Sequence, residues 1–321
     1  MPTAEIITIG TEIMLGEIID TNAPYIARKL RDVGVGVRRT WSTGDYPDDI
    51  AGAIREATQR AEIIITTGGL GPTVDDPTRE AAAKAFGVQT EFREDLWQQV
   101  IDRFARFNRY PTENNKQQAC VPQGATAIEN PVGTAPAFMV EFGKGATHFQ
   151  SALHLNQNHP NGVVICLPGV PREMEHLLEH NVLPHLRQRF QLNSVTVVRV
   201  LHTAGVGESQ IDERIGDLEK LANPIVGLAA HSGQVDVRIS ANAATEAGAC
   251  ALIQEVETEI RQRLGSWVYG ADDEPLEELA RVKRVRIEIA RDTAVLNADD
   301  PLCLKMADHT EAKRVCYVTM D

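Results

Sequence analysis

Residues 61–80 read AEIIITTGGLGPTVDDPTRE, and their reading decides the fold. The run 61–67 is short, apolar and rich in β-branched residues, the pattern of a strand buried on both faces. Gly68, Gly69 and Gly71 break it with a turn, and residues 78–86 have the composition of a helix. Strand, glycine turn and helix form the building unit of an open α/β sheet. Ligands of such sheets bind beyond the carboxyl ends of the strands.

The same grammar extends in both directions. Residues 4–10 read as a buried strand, and Thr21 or Asn22 caps a helix running to about Val33. A strand over 35–43, helices over 47–60 and 94–107, and a hairpin arm over 132–142 follow. Next come a polar loop over 143–162, a strand over 163–167 ending at Pro168-Gly169, and a helix over 171–189. The prediction is a parallel sheet with helices on both faces. From about Phe190 the pattern shifts to half-buried alternation at 194–203 and 234–241, with helices over 208–218 and 245–264, a smaller α+β unit. The expected domains are therefore 1–189, 190–280 and an atypical tail, 281–321. The tail opens on the basic stretch RVKRVRIEIAR, is too short for a core of its own, and is expected to be disordered.

Bulk properties narrow the function. A net charge of −13 and a pI near 5.2 would repel a nucleic-acid backbone, so no nucleic-acid partner is expected. No apolar run reaches membrane-spanning length, and the amino terminus enters Ile6-Ile7 without a basic secretory start. A cytoplasmic protein with no membrane partner is the expectation. Cys120, Cys166, Cys250, Cys303 and Cys316 form no CxxC pair, which argues against a zinc site or a disulfide framework.

Three motifs fall at strand ends: GTEIMLGEIIDTN at 10–22, TTGGLGPTVDDPTRE at 66–80 and LPGVPREME at 167–175. Topology brings them to one crevice. In the middle motif the glycine turn and the helix amino terminus suit a phosphate. Asp75 and Asp76 sit in the same loop, and two unit charges about 4 Å apart repel by roughly 4 kcal/mol at an effective dielectric near 20. A divalent cation between carboxylates and phosphate reverses the sign. Gly10, Thr11, Asn22, Gly68, Gly69, Leu70, Gly71, Thr73, Pro168 and Gly169 are candidate ligand-binding residues, with Asn114, Lys116, Gly133 and Thr134 from two further segments. Asp20, Asp75 and Asp76 are candidate metal ligands, and Asp76, Asp75 and Glu12 candidate catalytic acids or bases, with Asp76 the first choice as base. One aspartate of the Asp75-Asp76 pair can equally cap the helix that starts at Thr78.

These motifs, with NKQQA, NPVGTAPAF, GVGESQIDERI, SGQVDVRISA and VYGADDEPLEELA, resemble the CinA family over about residues 4–280. Small departures are Pro77 and Ala137, where a larger apolar residue and a glycine are common. The resemblance implies a first domain of MogA/MoeA type and a KH-type second unit. It also implies metal-dependent hydrolysis of ADP-ribose to AMP and ribose 5-phosphate with Mg2+ or Co2+, and a homodimer. Alternatives are a molybdopterin adenylyltransferase-like enzyme or a non-catalytic nucleotide-binding competence or regulatory protein. No GxxG occurs in 190–280, so RNA clamping of the KH kind is not expected. The AESCTGG-like motif of the family's nicotinamide mononucleotide deamidase domain is missing, so that activity is not expected. The tail, with NADDP at 297–301, resembles a Mur ligase or cyanophycin synthetase fragment.

Overall fold

Along the central strands successive isoleucines face opposite sides, and each side meets its own layer of helices. The computed structural model describes residues 2–106, 108–143, 162–231 and 234–272, with the strand backbones of Thr293–Asn297 and Arg314–Val318. The expected polar loop lies outside the described residues over 144–161, and so does most of the tail.

In chain order the first part runs β1 (Thr3–Ile9), α1 (Thr11–Met14), α2 (Asn22–Asp32), β2 (Gly36–Thr43), α3 (Pro47–Thr58), β3 (Ile63–Thr67) and α4 (Thr78–Phe86). It continues through β4 (Thr90–Phe92), α5 (Glu94–Arg106), a 3-10 segment Glu113–Ala119, β5 (Cys120–Pro122), β6 (Thr126–Ile128), β7 (Ala137–Phe142) and β8 (Gly162–Leu167). Helices α6 (Pro171–Leu177) and α7 (Leu183–Phe190) close it. The six-stranded sheet has the order β2-β1-β3-β8-β7-β6. β1, β2, β3 and β8 run parallel, whereas β7 is antiparallel to both β8 and β6. The sheet is thus mixed and mainly parallel.

Period-two alternation explains the unbroken apolar strands. Ile7, Ile9, Ile64 and Val164 pack on one face with Ile50 and Ile54 of α3 and Phe86 of α4. Ile6, Ile63, Ile65 and Ile165 pack on the other with Ile26 and Leu30 of α2 and Leu177 and Leu186 of α6 and α7. The helix expected over 171–189 is interrupted by a wider π turn at Leu178–Val182. Pro184 in the first turn of α7 is the cause: it has no N–H to give, and its ring crowds the carbonyl four residues back.

Two helix starts differ from expectation. The Asp20 carboxylate, not Thr21 or Asn22, caps α2, its Oδ1 accepting from the Asn22 and Ala23 amides at 2.9 and 3.0 Å. Neither Asp75 nor Asp76 caps α4. There the Thr78 hydroxyl donates back to the Gly68 carbonyl at 2.8 Å, and Asp76 turns away to Thr73.

The chain divides into two compact units, the first comprising Met1–Val198, Leu221–Ile225 and Ser240–Glu257, the second Arg199–Lys220, Val226–Ile239 and Thr258–Asp321. Beyond α7 come β9 (Val195–Ala204), α8 (Glu208–Ile215), β10 (Ile225–His231), β11 (Gln234–Ala243), α9 (Glu246–Leu264) and β12 (Val268–Ala271). Their sheet order is β10-β11-β9-β12, with β12 antiparallel to β9. In the tail, β13 (Thr293–Asn297) pairs in parallel with β14 (Arg314–Val318). Among the described residues no helix is long and apolar enough to cross a membrane.

Candidate functional site

The carboxyl ends of β1, β3 and β8 do open onto one cleft, of about 600 Å³. Because β7 runs antiparallel, its amino-terminal end reaches the same edge, which brings Thr134 and Ala135 into the lining. Gly10, Glu12, Asp20, Asn22, Gly68, Gly69, Leu70, Gly71, Thr73, Asp75, Asp76, Thr134, Pro168 and Gly169 all line it. The three motifs therefore meet as their topology requires.

The glycine turn is shaped by close approach. Gly68 has φ +116°, and a Cβ there would stand 2.0 Å from the Ile9 carbonyl oxygen, so no side chain fits. The Gly68 amide donates to the Leu167 carbonyl at 3.0 Å, which fastens the turn to β8. Asn22 ties the other loops in. Its amide nitrogen donates to Thr67 Oγ1 at 2.9 Å and to the Gly169 carbonyl at 2.8 Å, while Thr67 Oγ1 donates to the Pro168 carbonyl at 2.9 Å. Beneath the turn lies Arg79, only 1% exposed, donating to the carbonyls of Leu70 at 2.8 Å and Gly71 at 3.4 Å. Burial pulls its pKa down to about 10, which leaves it charged at neutral pH.

The acids are spread around the cleft and partly engaged. Asp76 Oδ2 accepts from the Thr73 amide at 2.8 Å and the Thr73 hydroxyl at 2.6 Å. Asp20 is occupied by the α2 amides, while Glu12 and Asp75 are exposed. Among the described residues no three His, Cys, Asp or Glu side chains gather closely enough to hold a metal ion. A cage built from Asp20, Asp75 and Asp76 does not fit this geometry.

Several expected ligand residues stand elsewhere. Thr11 is not in the lining; its amide and hydroxyl both donate to Asp45 Oδ2 at 2.8 Å. Asn114 and Lys116 are exposed outside the cleft, and Lys116 pairs with Glu113 at 2.7 Å. Gly133 is behind the lining, where a Cβ would stand 1.9 Å from the Glu173 carboxyl carbon.

Asp45, Glu173 and Gln118 are among the lining residues that sequence reasoning missed. Asp45 follows the end of β2, so the strand-end rule would have found it. Glu173 lies within the third motif; its Oε2 accepts from Asn130 Nδ2 at 2.7 Å. Burial raises its pKa, opposed by the Asn130 hydrogen bond and by Arg103. Gln118, in NKQQA, donates to Thr134 Oγ1 at 3.1 Å and carried no signal that set it apart from Gln117.

Residues 5–188 match the family profile described as "Probable molybdopterin binding domain", and 198–270 match the "Damage-inducible protein CinA KH domain". The chain belongs to the CinA-like family. A "CinA-like protein" of Kosmotoga olearia is 40% identical over 86% of this chain and 63% of its own length, so the chain spans less than two thirds of that relative. A "Putative competence-damage inducible protein" of Clostridium botulinum is 37% identical over 91% of this chain and 67% of its own. The crystal structure of a CinA protein "with unknown function" from Thermoplasma acidophilum covers 58% of this chain and 98% of that one, at 33% identity and a TM-score of 0.47. The molybdopterin biosynthesis enzyme MoaB of Thermus thermophilus covers 60% and 96%, at 20% identity and a TM-score of 0.35.

For this CinA-like chain the expectation of ADP-ribose hydrolysis is corrected. The domain that carries the cleft matches the profile of a probable molybdopterin binding domain, and the names of the Kosmotoga and Clostridium relatives do not specify ADP-ribose. The physical reason agrees: hydrolysis by metal-held water called for gathered acids, and here the carboxylates are dispersed, with Asp20 and Asp76 committed to backbone amides.

Proposed function

We propose that the cleft binds a small phosphorylated ligand of the molybdopterin class and acts as a molybdopterin adenylyltransferase-like site. The observation that carries this reading is the meeting, in one cleft, of the Gly68–Gly71 turn with six carboxylates and, among the described residues, no lysine or arginine in the lining. Amides of the turn suit a single phosphate. Carboxylates suit the amino and imino donors at the edge of a pterin ring. Exposed Ile18 and Ile19, 51% and 87% accessible, offer apolar surface for a ring face. A lining so acidic disfavours a bare polyphosphate, so a nucleotide would enter with its charge already neutralised.

In the proposed reaction the phosphate oxygen of the pterin ligand attacks the α-phosphorus of ATP and pyrophosphate leaves. A divalent cation, Mg2+ by preference, would enter on the nucleotide and screen its charge, with the exposed Asp75 left to face it, Asp76 being engaged by Thr73. The chain's own residues orient the acceptor: the glycine turn grips its phosphate, and Glu173 and Asp45 border the space for its ring. A homodimer in the cytoplasm, working on small molecules away from nucleic acid and membranes, belongs to the same proposal.

A second reading, a non-catalytic nucleotide-binding competence or regulatory protein, is favoured by the prior engagement of Asp20 and Asp76 within the protein. Incubation of the purified chain with molybdopterin, ATP and Mg2+ separates the two. Adenylated pterin with pyrophosphate release supports the first; nucleotide binding without turnover supports the second. Failure to bind either ligand sinks both.

A further inference from the structure

We infer that Arg79 is a positioning residue for the phosphate loop, holding the Leu70 and Gly71 carbonyls inward and supplying the positive potential that the cleft lining lacks. This rests on the phosphate-binding reading of the cleft given above.

Arg79 lies one residue into α4, immediately after Thr78, whose hydroxyl fastens the Gly68 carbonyl and whose amide donates to the Gly69 carbonyl at 3.2 Å. The Arg79 guanidinium reaches back across the turn to the next two carbonyls, those of Leu70 and Gly71. Successive backbone oxygens from Gly68 to Gly71 are thereby drawn toward α4. In a tight turn, carbonyls fixed on one side leave amides directed to the other, which is the arrangement an anion needs. Holding carbonyls is a task a neutral donor could perform. A buried charge is costly, and this one has no carboxylate partner among the described residues, while its Nε has no hydrogen-bond partner there at all. Such an incomplete environment is a poor device for stability alone. It makes sense when the charge has a use, and the cleft provides one. Asp76 is the acid whose field Arg79 feels, and Glu12, Asp20, Asp45, Asp75 and Glu173 also line the space. Among the described residues no lysine or arginine stands with them. A cation enclosed in protein is screened far less than a surface lysine would be, so its field reaches the bound phosphate with little loss to salt.

The experiment compares the full chain with Arg79→Met and Arg79→Lys. Inorganic pyrophosphate, presented as its Mg2+ complex so that its charge is already part-neutralised, is the calorimetric probe, thermal melting reads folding, and amide hydrogen exchange over 68–71 reads the loop. Expected are an intact fold, affinity for pyrophosphate about tenfold weaker in Arg79→Met, partial recovery in Arg79→Lys, and faster loop exchange in both variants. A folded Arg79→Met that binds pyrophosphate as tightly as the parent overturns the inference. Should Arg79→Met not fold, Arg79→Lys decides: parental affinity with parental loop exchange overturns it, and weakened affinity with faster exchange upholds it. If the unaltered chain binds no pyrophosphate, the reading of the cleft fails; loop exchange then still tells whether Arg79 organises the turn, and unchanged exchange removes that part too.

Discussion

The Asn22 side-chain amide donates to the Gly169 carbonyl across 147 positions of sequence, at 2.8 Å. One buried asparagine, 8% exposed, thus joins the start of α2 to the loop after β8, and through Thr67 to the end of β3. The cleft edge is held by polar bonds where the apolar layers end. Asn22→Ala removes both donors and strands the Gly169 carbonyl. The expected loss is about 1–2 kcal/mol in urea unfolding, together with weaker ligand binding. Unaltered stability and binding would show that the three loops hold without this tie.

Gly133 and Glu173 form a second coupled pair. A methyl group at Gly133 would overlap the Glu173 carboxyl, so Gly133→Ala is expected to destabilise by about 1–3 kcal/mol. Shortening the partner makes room: Gly133→Ala combined with Glu173→Ala should be clearly less damaging than the sum of the two changes. A double-mutant cycle from denaturation midpoints checks this, and simple additivity would refute the coupling.

The same carboxyl predicts a pH effect. Burial raises the Glu173 pKa above its ordinary 4.5, so the folded protein holds this proton more tightly than the unfolded chain does. Its contribution to stability is full below the ordinary value and fades as pH rises through the raised one. Glu173→Gln mimics the neutral form. Between about pH 4 and pH 7, parental stability relative to Glu173→Gln should fall as pH rises, read from urea midpoints at each pH. A flat difference would remove the assignment.

Away from the cleft, Glu5 is 1% exposed and paired with Arg60 through two bonds of 2.9 and 3.1 Å, with Trp41 Nε1 donating at 3.1 Å. Arg60→Met leaves a buried carboxylate with only the indole donor. A loss of roughly 2–3 kcal/mol is expected, less than for a fully enclosed pair because Arg60 is part-exposed, and Arg60→Met with Glu5→Gln should recover much of it. Equilibrium unfolding of both variants is the measurement.

Thiol chemistry offers a simple check on the core. Cys166 is fully buried on β8, and burial pushes its thiol up to about 12, whereas Cys250 is exposed on α9. Alkylation of the native protein, mapped by mass spectrometry, should label Cys250 and spare Cys166 until denaturant is added. Early labelling of Cys166 would mean that β8 is not enclosed as described.

The layered fold was legible because it is written in local period. Ile63-Ile64-Ile65 can satisfy only a strand covered on both faces, and the glycines that follow admit only a turn. The crevice was legible from topology, since three motifs each ended a strand. The hairpin arm read over 132–142 has its counterpart in β7, antiparallel to both β6 and β8, but which strands flank it was not legible, because an apolar hexamer does not name its neighbours. Nor were the partners of single polar side chains. Asp20 next to Thr21-Asn22, or Asp76 beside Thr73, offers a capping or turn oxygen as plausibly as a ligand oxygen, and only the folded backbone selects between these uses. Arg79 and Glu173 escaped notice for a related reason: their value depends on what is buried around them, which neighbours in sequence do not reveal.

The reversed course of β7 carries one practical consequence. Phe142 and Gly162 sit opposite each other at the sheet end remote from Pro168, so this end of the β7–β8 pair lies away from the ligand-bearing edge. A fluorophore carried on Glu141→Cys, an exposed position paired opposite Val163, would mark that far end and leave the mouth of the cleft clear.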